Sequence, residues 1–460
     1  MSHSDFSSLK LHPDLIENLK TLNYQSMTPI QAQSLPPILE GKDVIAQGQT
    51  GSGKTAAFGL GLLQKLNVKR FRIQSLVLCP TRELADQVAK EIRRLGRGIH
   101  NIKVLTLCGG SPMGPQIGSL EHGAHIIVGT PGRIEDHLRK ERLKLDEVST
   151  LVLDEADRML EMGFQESLDN IISQTPSDRQ TLLFSATFPK KIEAISKNIM
   201  KSPIAVTVAS THDGNSIEQH FFNIKNTDRT DALIILLQKY QVESTIVFCN
   251  TKAETQRVAD TLHEAGYSAL ALHGDLEQKE RDQTLARFAN KSTSIVVATD
   301  VAARGIDIDS LDLVINFHLS KDNEVHTHRI GRTGRSGKRG TACTLISDKE
   351  TFKLGKLEEY LGETFAQVPL PADTPSSQTA HYPPMTTIQI DGGKKQKVRP
   401  GDILGALTGD KGIDGSDVGK IQIFENWSFV AVAHKASKAA LKKLSEGQLK
   451  GRNFKVRRLK

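Results

Sequence analysis

Cysteine is scarce in this 460-residue chain. There are four, Cys79, Cys108, Cys249 and Cys343, and no two have the CxxC spacing. That argues against a disulfide framework and against a zinc site. Cys79 and Cys249 lie in apolar, strand-like runs, so they read as small buried thiols in a reducing compartment. No apolar run is long enough to cross a bilayer, so no membrane partner is expected. The opening Met1-Ser2-His3-Ser4-Asp5 has neither a basic region nor an apolar core, so no signal peptide is expected and the protein is placed in the cytoplasm. Low-complexity segments and short repeats are also missing. At 38% hydrophobic and 25% charged residues, a soluble globular protein is what remains. At ~150 residues per domain, its length suggests about three domains.

Charge is plentiful but uneven. The net charge is +7. Residues 381–460 carry 16 Lys+Arg against 7 Asp+Glu, and the first 380 residues carry 44 against 46. The basicity therefore belongs to the last eighty residues. Such an asymmetry points to a polyanion-binding appendage, most often for nucleic acid.

Two motifs carry chemistry. Gly48-Gln49-Thr50-Gly51-Ser52-Gly53-Lys54-Thr55 fits the P-loop pattern GxxxxGK[ST]. Its glycines let backbone N–H groups approach phosphate oxygens. Lys54 would reach the β- and γ-phosphates and Thr55 would coordinate Mg²⁺. A strand expected at 43–47 precedes the loop and a helical run follows it, which is the context the motif needs. One hundred residues later, Leu151-Val152-Leu153 is an apolar strand that ends in Asp154-Glu155-Ala156-Asp157. Asp154 is the candidate Mg²⁺ ligand and Glu155 the candidate general base for an attacking water. A dense basic run, His328 to Arg335, lies further on. Arg332 and Arg335 are three apart and would share one helix face. They suit arginine fingers for a γ-phosphate, worth about 10³–10⁵ in rate.

Around these motifs the chain alternates short strands with helical patterns, the signature of parallel sheets with covering helices. A first α/β block spans 1–209. Its strands are expected at 43–47, 75–79, 104–107, 125–129, 150–153, 181–185 and 204–208. A Ser/Thr/Gly/Asn-rich linker is expected at 210–216. A second block spans 217–365, with strands expected at 217–223, 244–248, 269–272, 294–298, 313–317 and 340–346, and no P-loop of its own. Residues 366–384 are rich in Pro, Ser and Thr and read as a flexible linker, spanning roughly 25 Å on average. The tail, 385–460, reads as βαββαβ, the order of an RNA-recognition motif.

These residues resemble the DEAD-box ATP-dependent RNA helicases over 1 to about 365. Phe6 with Thr28-Pro29-Ile30-Gln31, within 4–32, is similar to the family's Q motif. The resemblance implies that Gln31 reads the adenine edge and Phe6 stacks on its face, so ATP is the fuel. ATP would be held by Phe6, Gln31, Gly48, Gln49, Thr50, Gly51, Ser52, Gly53, Lys54 and Thr55, with Gly305 at the nucleotide and Asp307 on its ribose. Pro80-Thr81-Arg82, Gly109-Gly110 and Thr130-Pro131-Gly132-Arg133 resemble RNA-backbone motifs, and Thr299 would touch RNA phosphate. Ser185-Ala186-Thr187 resembles the motif that couples hydrolysis to strand separation. The implied architecture is two tandem RecA-like domains plus the RNA-recognition-like tail.

The basic tail narrows the resemblance to the bacterial DbpA group. Its members recognise a hairpin of 23S ribosomal RNA and act in assembly of the large ribosomal subunit. The resemblance implies 23S RNA and pre-50S particles as partners of a monomeric enzyme. Trp427 and Phe429 are candidates for base stacking, with Glu425-Asn426 where the usual Lys-Gly would precede them. Lys394, Lys395, Lys397 and Arg399 are candidate phosphate contacts. Two further readings stay open: a general RNA helicase with a non-specific basic tail, and an ATP-gated RNA clamp.

Overall fold

The computed structural model describes residues 5–459 apart from 49–50, 189, 209–216, 225–227, 304–310, 321, 335–338, 372–381 and 410–411. It forms two compact units, Met1–Thr211 and His212–Lys460. Among the described residues, no helix is long and apolar enough to cross a membrane.

The first unit is built on seven strands: β1 (Val44–Gln47), β2 (Ser75–Leu78), β3 (Val104–Leu107), β4 (Ile126–Gly129), β5 (Thr150–Asp154), β6 (Gln180–Ser185) and β7 (Ile204–Thr207). All pair in parallel, in the order β3-β4-β2-β5-β6-β1-β7. Every residue of β2, β4, β5 and β6 is buried. That fits a parallel sheet covered on both faces, where strands read as continuous apolar runs. Alternate side chains feed two cores. Val77, Val152 and Phe184 enter one, and Leu76, Leu151 and Leu183 enter the other. The helix Arg82–Leu95 shows how a cover forms. Thr81 accepts the Leu84 N–H as N-cap, and Leu84, Val88, Ile92 and Leu95 make the buried stripe.

The second unit begins with β8 (Ile217–Asn223), β9 (Thr245–Cys249), β10 (Ala269–Leu272), β11 (Ile295–Thr299), β12 (Leu313–Asn316), β13 (Gly340–Ile346) and β14 (Gln367–Pro369). Their order, β10-β11-β9-β12-β13-β8-β14, repeats that of the first sheet strand for strand. The tail adds β15 (Met385–Ile390), β16 (Val418–Ile423), β17 (Ser428–Ala433) and β18 (Val456–Arg458), an antiparallel sheet ordered β16-β17-β15-β18. Its helices Pro400–Thr408 and Ser437–Glu446 pack on one face, against Ile388, Ile390, Val430 and Val432.

The other face of that sheet shows that the tail is fixed to the second block; of the linker expected at 366–384, residues 372–381 lie outside the described residues. Residues 367–369 already belong to a strand, β14, paired with β8. Thr387, Gln389, Phe429 and Ala431 lie on the face away from the tail's helices, yet each is at most 1% exposed. The helix Gln278–Ala289 and the turn after it cover them. Asn290 Nδ2 donates to Thr387 Oγ1 at 2.8 Å and Gln283 Nε2 to Gln389 Oε1 at 2.9 Å. Ser292 Oγ meets Thr387 Oγ1 at 2.5 Å, and Lys279 Nζ stands 5.9 Å from the centre of the Trp427 ring. The tail is docked on the second block, through polar pairs that no periodicity announces. The linker expected at 210–216 lies outside the described residues.

Candidate nucleotide site and RNA-facing surfaces

Open parallel sheets bind ligands at the carboxyl ends of their strands. In the first unit β1 and β6 end side by side, Gln47 against Ser185. Gly48 N–H donates to Ser185 O at 3.0 Å, and Gln47 Nε2 to Ala186 O at 3.3 Å. The P-loop and Ser185-Ala186-Thr187 therefore form one assembly. Gly53 turns with φ +95°, where a side chain would meet Gln31 at 2.5 Å. The helix Lys54–Lys65 starts on it with no side-chain cap, which leaves its first N–H groups for an anion. Lys54 is buried and donates Nζ to Gly48 O at 2.7 Å. Gln31 accepts from Thr28 N–H at 2.9 Å and donates to Gly53 O at 3.1 Å, so it already touches the loop. Phe6 is 4% exposed and edge-on to Tyr24, packed into the core rather than presented as a free stacking face. Gln49 and Thr50 lie outside the described residues. Gly51 and Ser52 lie between them and Gly53, and Thr55 is half-buried.

Asp154 ends β5, buried. Burial pushes its carboxyl up to about 7, against the pull of the Lys54 ammonium, and Glu155 adds to the rise. Its Oδ1 is buried with no hydrogen-bond partner. A desolvated acid with an unmet oxygen fits a hard divalent cation. Thr55 and Asp154 are the residues that would hold Mg²⁺, and the ion would neutralise phosphate charge there. Glu155 follows in the left-handed region, φ 52° and ψ 52°. For a non-glycine residue that costs of order 1–3 kcal/mol and is typical of functional turns.

Asp157 was not among the predicted site residues, although it stands in the same acid run. It accepts from Thr187 N–H at 3.0 Å and from Thr187 Oγ1 at 2.8 Å, while its own N–H points to Ser185 Oγ at 3.4 Å. Burial pushes its carboxyl up, but Arg158 and the Thr187 bonds outweigh this and hold it below the usual range. An ionised Asp157 thus ties the acid motif to Ser185 and Thr187.

The candidate RNA contacts of this unit follow three neighbouring strands, β3, β4 and β2. Pro80 is buried beyond β2, and Thr81 spends its hydroxyl as the helix cap. Arg82 keeps a buried Nη1 without a hydrogen-bond partner. Gly110 turns after β3 with φ +70°. Thr130 precedes the helix Pro131–Arg139 with no side-chain cap bond, and Arg133 donates Nη1 to Ser111 O at 3.0 Å.

In the second unit Thr299 ends β11, and its hydroxyl accepts from Ala302 N–H at 3.4 Å. The basic run departs from expectation. Its helix, Asn323–Ile330, stops before Arg332, so Arg332 is not on a helix face. Gly331 ends the helix, and Arg332 sits in the turn, its carbonyl accepting Leu311 N–H at 3.0 Å. Arg329, not predicted, is the fully buried member. It bonds Asp300 at 2.5 and 2.8 Å, Asn250 Oδ1 at 3.0 Å and His318 O at 2.8 Å. Arg335, Gly305 and Asp307 lie outside the described residues.

In the tail, Lys394, Lys395, Lys397 and Arg399 are all exposed, around the short turn Lys394–Gln396 before the helix Pro400–Thr408. Phe429 is buried, edge-on to Phe424, and Trp427 sits in the turn before β17, stacked on Phe424.

The comparisons agree with this geometry. The DEAD/DEAH box helicase family matches residues 28–195, the helicase conserved C-terminal domain 228–337, and the DbpA RNA binding domain 387–458. The chain is 53% identical to the ATP-dependent RNA helicase DbpA of Escherichia coli over 459 residues, 99% of each protein. The chain belongs to the DbpA-type DEAD-box RNA helicases. It is also 36% identical to the Bacillus subtilis DbpA, over 99% of each protein. Among solved structures, Saccharomyces cerevisiae Dbp5 bound to RNA and ADP BeF3 superposes with a TM-score of 0.73 at 32% identity, covering 80% of this chain and 96% of that one. A DbpA-type helicase hydrolyses ATP and acts on RNA. Here Asp157 links the acid run of Asp154 and Glu155 to Ser185 and Thr187.

Proposed function

We propose that this helicase is directed by its tail to a hairpin of 23S ribosomal RNA and serves assembly of the large ribosomal subunit, as a monomer in the cytoplasm. The match of residues 387–458 to the DbpA RNA binding domain carries this reading. The tail's aromatic sheet face is covered, so the exposed basic turn of Lys394, Lys395, Lys397 and Arg399 takes the hairpin phosphates. Trp427 contributes by packing, not by base stacking.

In the proposed reaction, Gln31 serves the base, Gly51, Ser52, Gly53 and Lys54 the phosphates, and Gly305 and Asp307 the ribose end. Glu155 takes the proton of the attacking water. Arg332 and Arg335 balance the charge on the transferred phosphoryl group. Gly110, Arg82, Thr130, Arg133 and Thr299 meet the RNA backbone. Two measurements test this. Phosphate release by Glu155→Gln falls about 10²–10⁴-fold with ATP affinity kept, the weight of a general base; normal turnover removes Glu155 from the role. ATPase stimulation across a panel of RNAs peaks on 23S hairpins. Replacing Lys394, Lys395, Lys397 and Arg399 by alanine flattens that preference and lowers the salt dependence of binding. A preference that survives the change moves the contact elsewhere, and stimulation equal on all RNAs favours a general helicase.

A further inference from the structure

The Gly109-Gly110 turn is fastened at both ends. On one side Cys108 O accepts from Gln116 Nε2 at 3.0 Å, and on the other Ser111 O accepts from Arg133 Nη1 at 3.0 Å. Among the described residues, neither glycine gives its N–H to a backbone carbonyl. A side chain on Gly109 would meet nothing within 4 Å, so the turn borders open space. Backbone N–H groups left free in such a turn suit an anion.

The tie through Gln116 does not end there. Its Oε1 takes a hydrogen bond from His137 Nε2 at 3.0 Å. An amide oxygen only accepts, so the imidazole carries its proton on Nε2. Both side chains are buried, His137 completely. His137 stands one helical turn after Arg133 on Pro131–Arg139. One helix therefore supplies both ties, Arg133 directly and His137 through Gln116. Burying an imidazole and an amide is unfavourable unless each is bonded, and two apolar side chains would avoid that cost. What the polar pair adds is a fixed donor for the Cys108 carbonyl.

We propose that Gln116 and His137 are positioning residues for the RNA strand. They hold the Gly109-Gly110 turn in the shape that receives a phosphodiester, before RNA arrives. This rests on the reading that Gly110, Thr130 and Arg133 meet the RNA backbone. Preset N–H groups lower the ordering cost of binding. The effect belongs to RNA affinity, since ATP is held by other loops.

The test is ATP hydrolysis by the full chain, titrated with RNA at saturating ATP. Gln116→Glu keeps an acceptor for His137 but loses the donor to Cys108 O. Gln116→Glu, Gln116→Leu and His137→Leu each raise the half-activating RNA concentration about threefold to tenfold, the weight of one hydrogen bond. Turnover at saturating RNA and the KM for ATP stay within about twofold, since the catalytic groups are untouched. The double leucine variant is no worse than Gln116→Leu alone, because the two act as one relay. An unchanged half-point in Gln116→Glu overturns the proposal if Arg133→Ala shifts it. If Arg133→Ala shifts nothing either, RNA does not use this turn and the underlying reading fails as well. Loss of turnover or a raised KM for ATP also overturns it, as general damage. Should the leucine variants not fold, amide exchange at Gly109–Ser111 decides: faster in Gln116→Glu supports the role, equal rates end it.

Discussion

At the residue scale, the clearest electrostatic device lies in the second unit. Glu350 is buried beside His318 and Arg229 in the second unit. Burial pushes its carboxyl up, but hydrogen bonds from His318, Arg229 and Ser347 N–H prevail and hold it at about 2. Its folded value lies below its unfolded one, so its contribution is full above about pH 4.5 and fades as the pH falls toward 2. Glu350→Gln should cost about 2–3 kcal/mol at pH 7 and almost nothing near pH 2. Denaturant titrations at several pH values read this directly, and a difference independent of pH defeats it. His326 works in the same direction at higher pH. Burial and the neighbouring Arg329 push its imidazole down to about 3. The unfolded chain then binds the extra proton between about pH 6.5 and 3, so acid begins to weaken the second unit below about 6.5.

At the element scale, Thr81 separates a structural role from a binding one. Its hydroxyl caps the helix Arg82–Leu95 by accepting Leu84 N–H at 3.3 Å. Thr81→Ala should lower stability by about 1 kcal/mol, while Thr81→Ser keeps most of it. Thermal melts of both variants check this, and equal melting of Thr81→Ala and wild type would free the hydroxyl for RNA. Elements were legible where local chemistry decides them. β3, β8, β10 and β13 have the expected limits, and the tail's βαββαβ order is as expected. β14 was not foreseen. Gln367–Pro369 is short, Pro-containing and on a sheet edge, and its strand character comes only from pairing with β8. The helix expected to carry Arg332 stops at Ile330, since the run that follows alternates Gly331 and Gly334 with polar residues and holds no helix.

At the scale of the molecule, two compact units imply two cooperative transitions. The tail is part of the second unit, hydrogen-bonded through Asn290, Ser292 and Gln283. Asn290→Ala should therefore destabilise only the calorimetric transition of the second unit, by the roughly 1–3 kcal/mol of a buried polar group left unpaired. A separate third transition for the tail in the wild type would contradict the docking.

The sequence alone determined the P-loop, the acids at the end of β5, the repeated α/β rhythm and the basic tail. Each rests on neighbours within a few residues, where glycine conformations, strand burial and charge leave a local imprint. Only the tertiary structure decided that Asp157 bonds Thr187, that Arg329 is buried between Asn250 and Asp300, and that Gln116 joins Cys108 to His137. It alone turned the tail's sheet face inward onto Gln283 and Asn290. Such contacts join residues eight to more than a hundred positions apart through one or two polar bonds, and a bond of that kind exists only once packing has brought its two ends together.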